Sequence, residues 1–359
     1  MGHFRKHVLS IFLTEKCNLA CTYCYLDRRL AGRGRTIALD FARRGIDDFL
    51  SGNPRPAVRF FADGEPTLAF DELVQIREYA AWRAAGAVTF EIQTNGVFSP
   101  AVARWIAANI DIVYISMDGP PAMHDALRPA RGGAATSGLI MRNIAILKEN
   151  PRSRIGIRAT ITPLSNGRQK ELIDFFSGLG VNIVFADLAF CRVGSRDKSF
   201  QVSYRDFVDR FVEARAHAER LGVFYGTMFA VNFDERVQYA CRSCLPTPHL
   251  TVDGYVSCCD MCVSGQSPLQ ELIYGRYDER TGRIVYCPLL IHRIRGRRVD
   301  NLPACRSCAV KDHCAGGCLG EALNETADLY GVKDESCRAT RYLWRKLGGR
   351  PIPLPHLHP

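Results

Sequence analysis

The sequence predicts an α/β protein with a parallel sheet, followed by a smaller cysteine-rich domain. Two observations carry that expectation. Over the first two thirds of the 359 residues, short runs rich in β-branched and aromatic residues alternate with helical patterns. Beyond them the alternation stops, and eleven of the fifteen cysteines lie from Cys241 to Cys337. A chain of this length is also expected to hold about two domains.

Taken in order, the strand-like runs are Val8–Leu13, Val58–Ala62, Val88–Gln93, Ile112–Ser116, Arg154–Thr160 and Asn182–Leu188. Helical patterns fall between and after them at Asp40–Leu50, Phe70–Ala84, Pro100–Ala108, Ser137–Glu149 and Gly167–Leu179. Asp40, Ser99 and Ser137 read as helix caps. Six βα units require parallel pairing with right-handed crossovers. A helix from Tyr204 to Leu221 closes this part. The expected domains are 1–235, 236–345 and an extended tail over 346–359, whose His356 and His358 read as solvated.

Composition narrows the class. Hydrophobic residues make up 47% and charged residues 23%, as in an ordinary globular protein. No apolar run approaches the roughly 18 residues of a membrane span, and the N-terminus is too short for a signal peptide before the first strand. Met1-Gly2 opens a myristoylation pattern, but Lys6 stands where Ser or Thr is required. Fifteen cysteines without an export signal point to metal ligation in the cytoplasm, not to disulfides. The net charge is +10, with basic clusters at Arg28, Arg29, Arg33 and Arg35 and from Arg293 to Arg298. No RNA-binding motif accompanies them, so solvated surface or an acidic peptide partner is the expectation, not nucleic acid.

The chemistry starts just past the first strand, in Cys17-x3-Cys21-x2-Cys24 with Tyr23 before the last cysteine. Soft thiolates select iron–sulfur or zinc, and a structural zinc takes four protein ligands. No fourth Cys or His follows closely. Three corners of a [4Fe–4S] cube are thus supplied, leaving one iron open. The plainer reading is three structural cysteines on a strand-to-loop turn. Further turns follow the next strands: Asp63-Gly64-Glu65-Pro66, Thr94-Asn95-Gly96 and Met117-Asp118-Gly119-Pro120. Sites in such sheets form at the carboxyl ends of strands, so these loops are expected on one rim.

Together these motifs resemble the radical SAM superfamily, over roughly Val8 to Arg345. The resemblance implies a partial (βα)6 TIM-like barrel in which the open iron chelates S-adenosyl-L-methionine. Reductive cleavage there yields a 5′-deoxyadenosyl radical. It also implies roles. Gly64 and Glu65 stand where a G-G-E-P motif receives the methionine ammonium, although Asp63 replaces its first glycine. Tyr23 would offer its backbone to the adenine, and Gln93 begins a Q-T-N-G turn that shapes the pocket. Ser116 would contact the ribose and Arg128 the carboxylate region, as in the S-M-D-G-P…H…R stretch of anaerobic sulfatase maturases, with His124 at the middle position.

Farther on, Cys305-x2-Cys308-x5-Cys314-x3-Cys318, then Cys337, follow Cys244-x9-Gly254-x4-Cys259. A zinc ribbon would explain two CxxC pairs but not the remaining spacings. The pattern resembles the SPASM domain of peptide-modifying relatives. By that resemblance one auxiliary [4Fe–4S] cluster takes Cys241, Cys244, Cys259 and Cys318, and another takes Cys305, Cys308, Cys314 and Cys337, making three clusters in all. Cys258 competes with Cys259 as ligand, and Cys191, Cys262 and Cys287 are left to packing. Asp260 follows Cys259 as in sulfatase maturases, where that Asp is proposed to deprotonate the substrate; a turn-forming Asp is the alternative.

The resemblance therefore implies an oxidoreductase that abstracts hydrogen from a peptide or protein side chain. Ribosomal-peptide maturation is preferred to formylglycine formation by a sulfatase maturase. A non-catalytic iron–sulfur electron carrier is the alternative of another class. Only about seven residues precede the first strand, so no leader-binding domain is expected there. A separate leader-binding protein or direct binding would serve instead. An acidic leader suits the basic chain, and a flavodoxin or ferredoxin would donate electrons.

Overall fold

A computed structural model describes residues 8–24, 34–53, 56–61, 63–190 and 199–349. Cys191, Ala62, the basic residues Arg28, Arg29 and Arg33, and the tail from 350 onward lie outside them. Among the described residues the strands are β1 (Val8–Phe12), β2 (Ala57–Phe61), β3 (Thr89–Thr94), β4 (Ile112–Ser116), β5 (Arg154–Ile161), β6 (Ile183–Leu188), β7 (Phe224–Gly226), β8 (His249–Leu250), β9 (Tyr255–Ser257), β10 (Ile273–Asp278) and β11 (Arg283–Tyr286).

The chain forms two compact units that interleave along the sequence. The first joins Met1–Cys17, Arg28–Gln93 and Val237–Lys333; the second joins Asn18–Asp27, Thr94–Arg236 and Asp334–Pro359.

In the first unit β1 pairs in parallel with β2, and β2 with β3. On its other side β1 pairs in parallel with β8, from which β9, β10 and β11 continue antiparallel. The strands present two unlike faces because side chains alternate. Leu9, Ile11, Val58, Phe60, Phe90 and Ile92 make one face and are buried. Register puts His249, Ser10, Arg59 and Glu91 in one row across β8, β1, β2 and β3 on the other. All four are buried too. A row of buried polar groups in a parallel sheet, whose strands are ordinarily apolar on both faces, marks the face on which chemistry is to be sought.

The second unit holds β4 to β7, all parallel. Here the sequence expectation needs correction, because alternation continues one step past helix Tyr204–Arg220 into β7. That strand is three residues long and carries only one turn of the alternating pattern. The helix buries Tyr204, Phe207, Val208, Phe211, Ala214 and Ala218 at the three- and four-residue spacing of one face. Ser203 caps it, accepting from the Asp206 amide.

Two expected caps move. Ser99 does cap its helix, accepting from the Val102 amide. Asp40 instead sits in the first turn of helix Leu39–Leu50, where its charge still favours the positive helix end. Ser137 is the first helical residue, and its hydroxyl donates to Asp125 at 2.7 Å. Among the described residues no helix is long and apolar enough to cross a membrane.

Candidate active site

In the second unit, the cysteine loop is held by backbone pairing with the segment after helix Pro121–Leu127. Ala20 N–H donates to Pro129 O at 2.8 Å and Thr22 N–H to Leu127 O at 2.9 Å. The Q-T-N-G turn clamps the same loop: Asn95 Nδ2 donates to Asn18 Oδ1 at 2.7 Å, and Asn18 Nδ2 to Val97 O at 2.8 Å. Cys21 and Cys24 are thus carried on a braced loop, half-buried, as is Cys17 at the end of the first unit's opening segment.

Behind that loop lies a network that the motifs alone did not reveal. The Tyr23 hydroxyl donates to Asp118 Oδ2, which also accepts from Arg128 Nε at 2.9 Å. Asp118 Oδ1 accepts from the Thr160 amide at 2.9 Å, and the Arg128 guanidinium lies 5.2 Å from the Tyr23 ring centroid. Burial pushes the Tyr23 hydroxyl well above its ordinary pKa, against the opposing charge of Arg128. Asp118 N–H donates to His124 Nδ1 at 3.2 Å, so Nε2 carries the proton and donates to Thr136 Oγ1 at 3.1 Å. Burial drives His124 down to about 4, which agrees with that neutral ring. Gly119, at φ 132°, makes the turn that aims Asp118 inward; a Cβ there would lie 2.4 Å from Leu172 Cδ2. Ser116 is buried at the end of β4.

In the first unit the turn after β2 packs onto the backbone just before Cys17. Glu65 N–H donates to Lys16 O at 2.7 Å. A Cβ on Gly64 would lie 2.1 Å from that same oxygen, so only glycine fits. Glu65 is buried, and its Oε1 accepts from the Thr67 amide at 3.1 Å and hydroxyl at 2.8 Å. Asp63, the departure from the motif, is buried near Glu15 and Asp253. Burial and then those two carboxylates raise it to about 8, against the pull of Arg35. Gln93 is half-buried near the end of β3.

Asp260 belongs to the polar row. Its Oδ1 accepts from Arg59 Nη2 and from His249 Nε2 at 2.8 Å, and Arg242 Nη2 donates to its Oδ2 at 3.3 Å. Arg59 Nε donates to Ser10 at 3.1 Å. Burial works to raise the carboxyl, but Arg59, Arg242 and His249 together hold it well below the usual range. Asp260 is thus a carboxylate at the centre of a cationic clamp. Arg59, Arg242 and His249 escaped motif reading, although an arginine inside the buried run Ala57–Phe61 was a signal.

The remaining thiols of the first unit fall into two groups. Cys241 accepts a hydrogen bond from the Cys244 thiol, which lowers its pKa, and Arg297 nearby adds to the effect. Burial raises Cys259, and Cys318 beside it raises it further. Cys318 rises to about 12 through burial, Glu321 and Cys241. A Cβ on Gly320 would come within 2.9 Å of Cys259 Sγ, so that sulfur lies against the turn beginning at Cys318. Separately, burial and the neighbouring Cys305 and Cys308 raise Cys314 to about 11. Cys337 lies on helix Asp334–Lys346 of the second unit. Cys258 is also buried, with Cys262 and Cys241 as its neighbours. Among the described residues no three Cys, His, Asp or Glu side chains converge as ligands of one ion. A cube instead spreads its thiolates over separate corners. The donors suit [4Fe–4S] clusters by chemistry.

Residues 11–176 match the model of the radical SAM superfamily. A serine-type anaerobic sulfatase-maturating enzyme of Klebsiella aerogenes is 24% identical over 334 residues, spanning 87% of this chain and 79% of that protein. The radical SAM cyclopropyl synthase TigE of Paramaledivibacter caminithermalis is 20% identical over 372 residues, spanning 94% and 73%. The solved structure of native anSMEcpe with bound AdoMet superposes with a TM-score of 0.76 at 16% identity, covering 95% of this chain and 97% of that one. The same protein with AdoMet and the Cp18Cys peptide gives 0.73.

Proposed function

We infer that this chain, a member of the radical SAM superfamily through its domain over residues 11–176, oxidatively modifies a side chain of a peptide or protein, in the maturation of a ribosomally made peptide. The observation that carries this reading is the pair of thiol groups beyond the matched domain, Cys241, Cys244, Cys259 and Cys318 on one hand and Cys305, Cys308 and Cys314 on the other. Electron carriers for a substrate oxidation belong there. Cys337 would complete the second set. Bound S-adenosyl-L-methionine and its three-cysteine cluster would supply a 5′-deoxyadenosyl radical.

This chain's own residues would do the rest. Cys17, Cys21 and Cys24 hold the first cluster, on a loop braced by Asn18 and Asn95. Gly64 and Glu65 keep the turn beside Lys16 in shape for the methionine ammonium, Tyr23, Gln93 and Ser116 would serve the nucleoside side, and Arg128, paired with Asp118, the carboxylate region. Asp260 would face the substrate, its proton affinity restrained by Arg59, Arg242 and His249. A basic chain of net charge +10 suits an acidic leader.

Formylglycine formation is a second reading, favoured by Asp260 beside Cys259 and by the sulfatase-maturating relatives. Mass spectrometry separates the two. With a precursor peptide the product should lose two hydrogens and carry no aldehyde. A carbonyl-reactive product from a sulfatase-derived Cys or Ser peptide would assign the second reading instead. Replacing Cys17, Cys21 and Cys24 together by Ala should abolish 5′-deoxyadenosine formation while leaving the auxiliary iron. Deoxyadenosine persisting in that variant would defeat both readings.

A further inference from the structure

Arg297 is among the largest fully buried side chains, with no measurable exposure. Its Nε donates to Leu329 O at 2.9 Å, and its Nη2 donates to Gly316 O at 3.2 Å and Gly331 O at 3.0 Å. Every one of these acceptors is a neutral carbonyl. Its Nη1 is buried with no hydrogen-bond partner among the described residues. A guanidinium out of water, with one nitrogen unsatisfied, is costly unless something anionic meets it.

The surroundings name the anion. Gly316 lies between Cys314 and Cys318, and a Cβ on it would sit 3.5 Å from Nη1. Two neighbours tie Arg297 to one thiol set: Gly316 precedes Cys318 by two residues, and Ala240, which packs with Val299 and Leu302, directly precedes Cys241. Around it Ala240, Val299, Leu302, Cys305 and Ala315 form an apolar cluster that keeps solvent from supplying the missing partner.

We propose that Arg297 directs its unpaired Nη1–H and its full positive charge at the auxiliary [4Fe–4S] cluster held by Cys241, Cys244, Cys259 and Cys318, and so sets that cluster's reduction potential. The proposal rests on the auxiliary-cluster assignment above. Net charge and hydrogen bonds to the sulfurs are what tune such potentials. The oxidised cluster becomes one unit more negative when it gains one electron, so a fixed cation favours the reduced form and raises the potential. An arginine that merely braced Gly316 and Gly331 would leave the potential alone.

The test is an EPR-monitored redox titration of the anaerobically reconstituted full chain, with dithionite as reductant. In Arg297→Gln, iron should stay at about twelve per chain, for three four-iron cubes. One auxiliary midpoint should fall by the equivalent of tenfold or more in the reduction equilibrium, about 59 mV for one electron. Arg297→Lys, which keeps the charge, should fall less. An unchanged midpoint in an iron-replete Arg297→Gln protein overturns the proposal. Should both variants lose iron, chain labelled with ¹⁵N-arginine and carrying Arg242→Lys decides: pulsed EPR of the reduced clusters should show a ¹⁵N coupling, and its absence overturns the proposal. Iron near four per chain in the unaltered protein would instead remove the auxiliary clusters themselves.

Discussion

Two aspartates, one in each unit, are both gripped by arginine, yet they differ in what they leave open. Asp118 has no side-chain exposure, and its oxygens are taken by Tyr23, Arg128 and the Thr160 amide. Asp260 keeps 38% of its side chain exposed while holding Arg59, Arg242 and His249. The first is a closed network, which buried polar groups must be if they are to be tolerated. The second shares its arginines with the buried Glu91 of the same row, and keeps a face that an incoming group can reach. Burial alone would rank the two by depth; access is what sets them apart for an incoming group.

The sharpest way to break this contrast is Asp118→Asn. It leaves Arg128 buried without its counter-charge, and breaking such a pair costs about 3–5 kcal/mol. Urea unfolding should record that loss; a change under about 1 kcal/mol, the scale of one ordinary hydrogen bond, would mean Asp118 is no support.

A third carboxyl, Asp63, sharpens it by pH. Burial and the neighbouring carboxylates raise its pKa in the folded chain to about 8, above the ordinary 3.8, so the folded state binds the extra proton. Its favourable contribution is complete below pH 3.8 and is lost as pH rises through about 8. Asp63→Asn should therefore gain stability over the native chain as pH is raised from 5 to 8, by up to several kcal/mol, the scale of one buried ion. A difference that stays flat with pH would contradict the burial of that charge.

Asp260→Asn should cost less stability than Asp118→Asn, about 1–3 kcal/mol for the donors it leaves short. Its larger effect belongs in chemistry. 5′-Deoxyadenosine should still form while product falls by about 10²–10⁴, the worth of a general base. Wild-type product formation would reduce Asp260 to a clamp for Arg59. The smallest expected effect is the coupling of Ser10→Ala with Asp260→Asn, since both hold Arg59; a double-mutant cycle should show at least about 0.5 kcal/mol of non-additivity.

Much of the architecture was legible because parallel strands and their helices differ in period. Ile112–Ser116 was read at its observed bounds, and the other five strands named from sequence, β1, β2, β3, β5 and β6, were read to within a residue. Strands β7 to β11 were not: β7, β8 and β9 have only two or three residues and carry no period, and β10 and β11 fall where the sequence reads only as a cysteine-rich domain. Cysteine spacing exposed the thiol groups because ligand geometry repeats locally. The polar row was hidden for the opposite reason. His249, Ser10, Arg59 and Glu91 become neighbours only through register between strands distant in sequence. Each looks like an isolated polar residue until pairing aligns them. The caps at Asp40 and Ser137 slipped by one or two positions, the scale on which helix ends are ambiguous.

The pairing of β1 with β8 has a consequence in time. Ser10 and Ile11 meet partners at His249 and Leu250, so one edge of β1 stays unpaired until more than two hundred further residues have left the ribosome. At about 5–20 residues per second that interval is on the order of ten seconds or more. Contacts of such long range close slowly, and an open strand edge meanwhile invites pairing with other chains. That edge of β1 is therefore exposed in a newly made chain, and slowing synthesis before His249 should lengthen the exposure and increase the demand for chaperones.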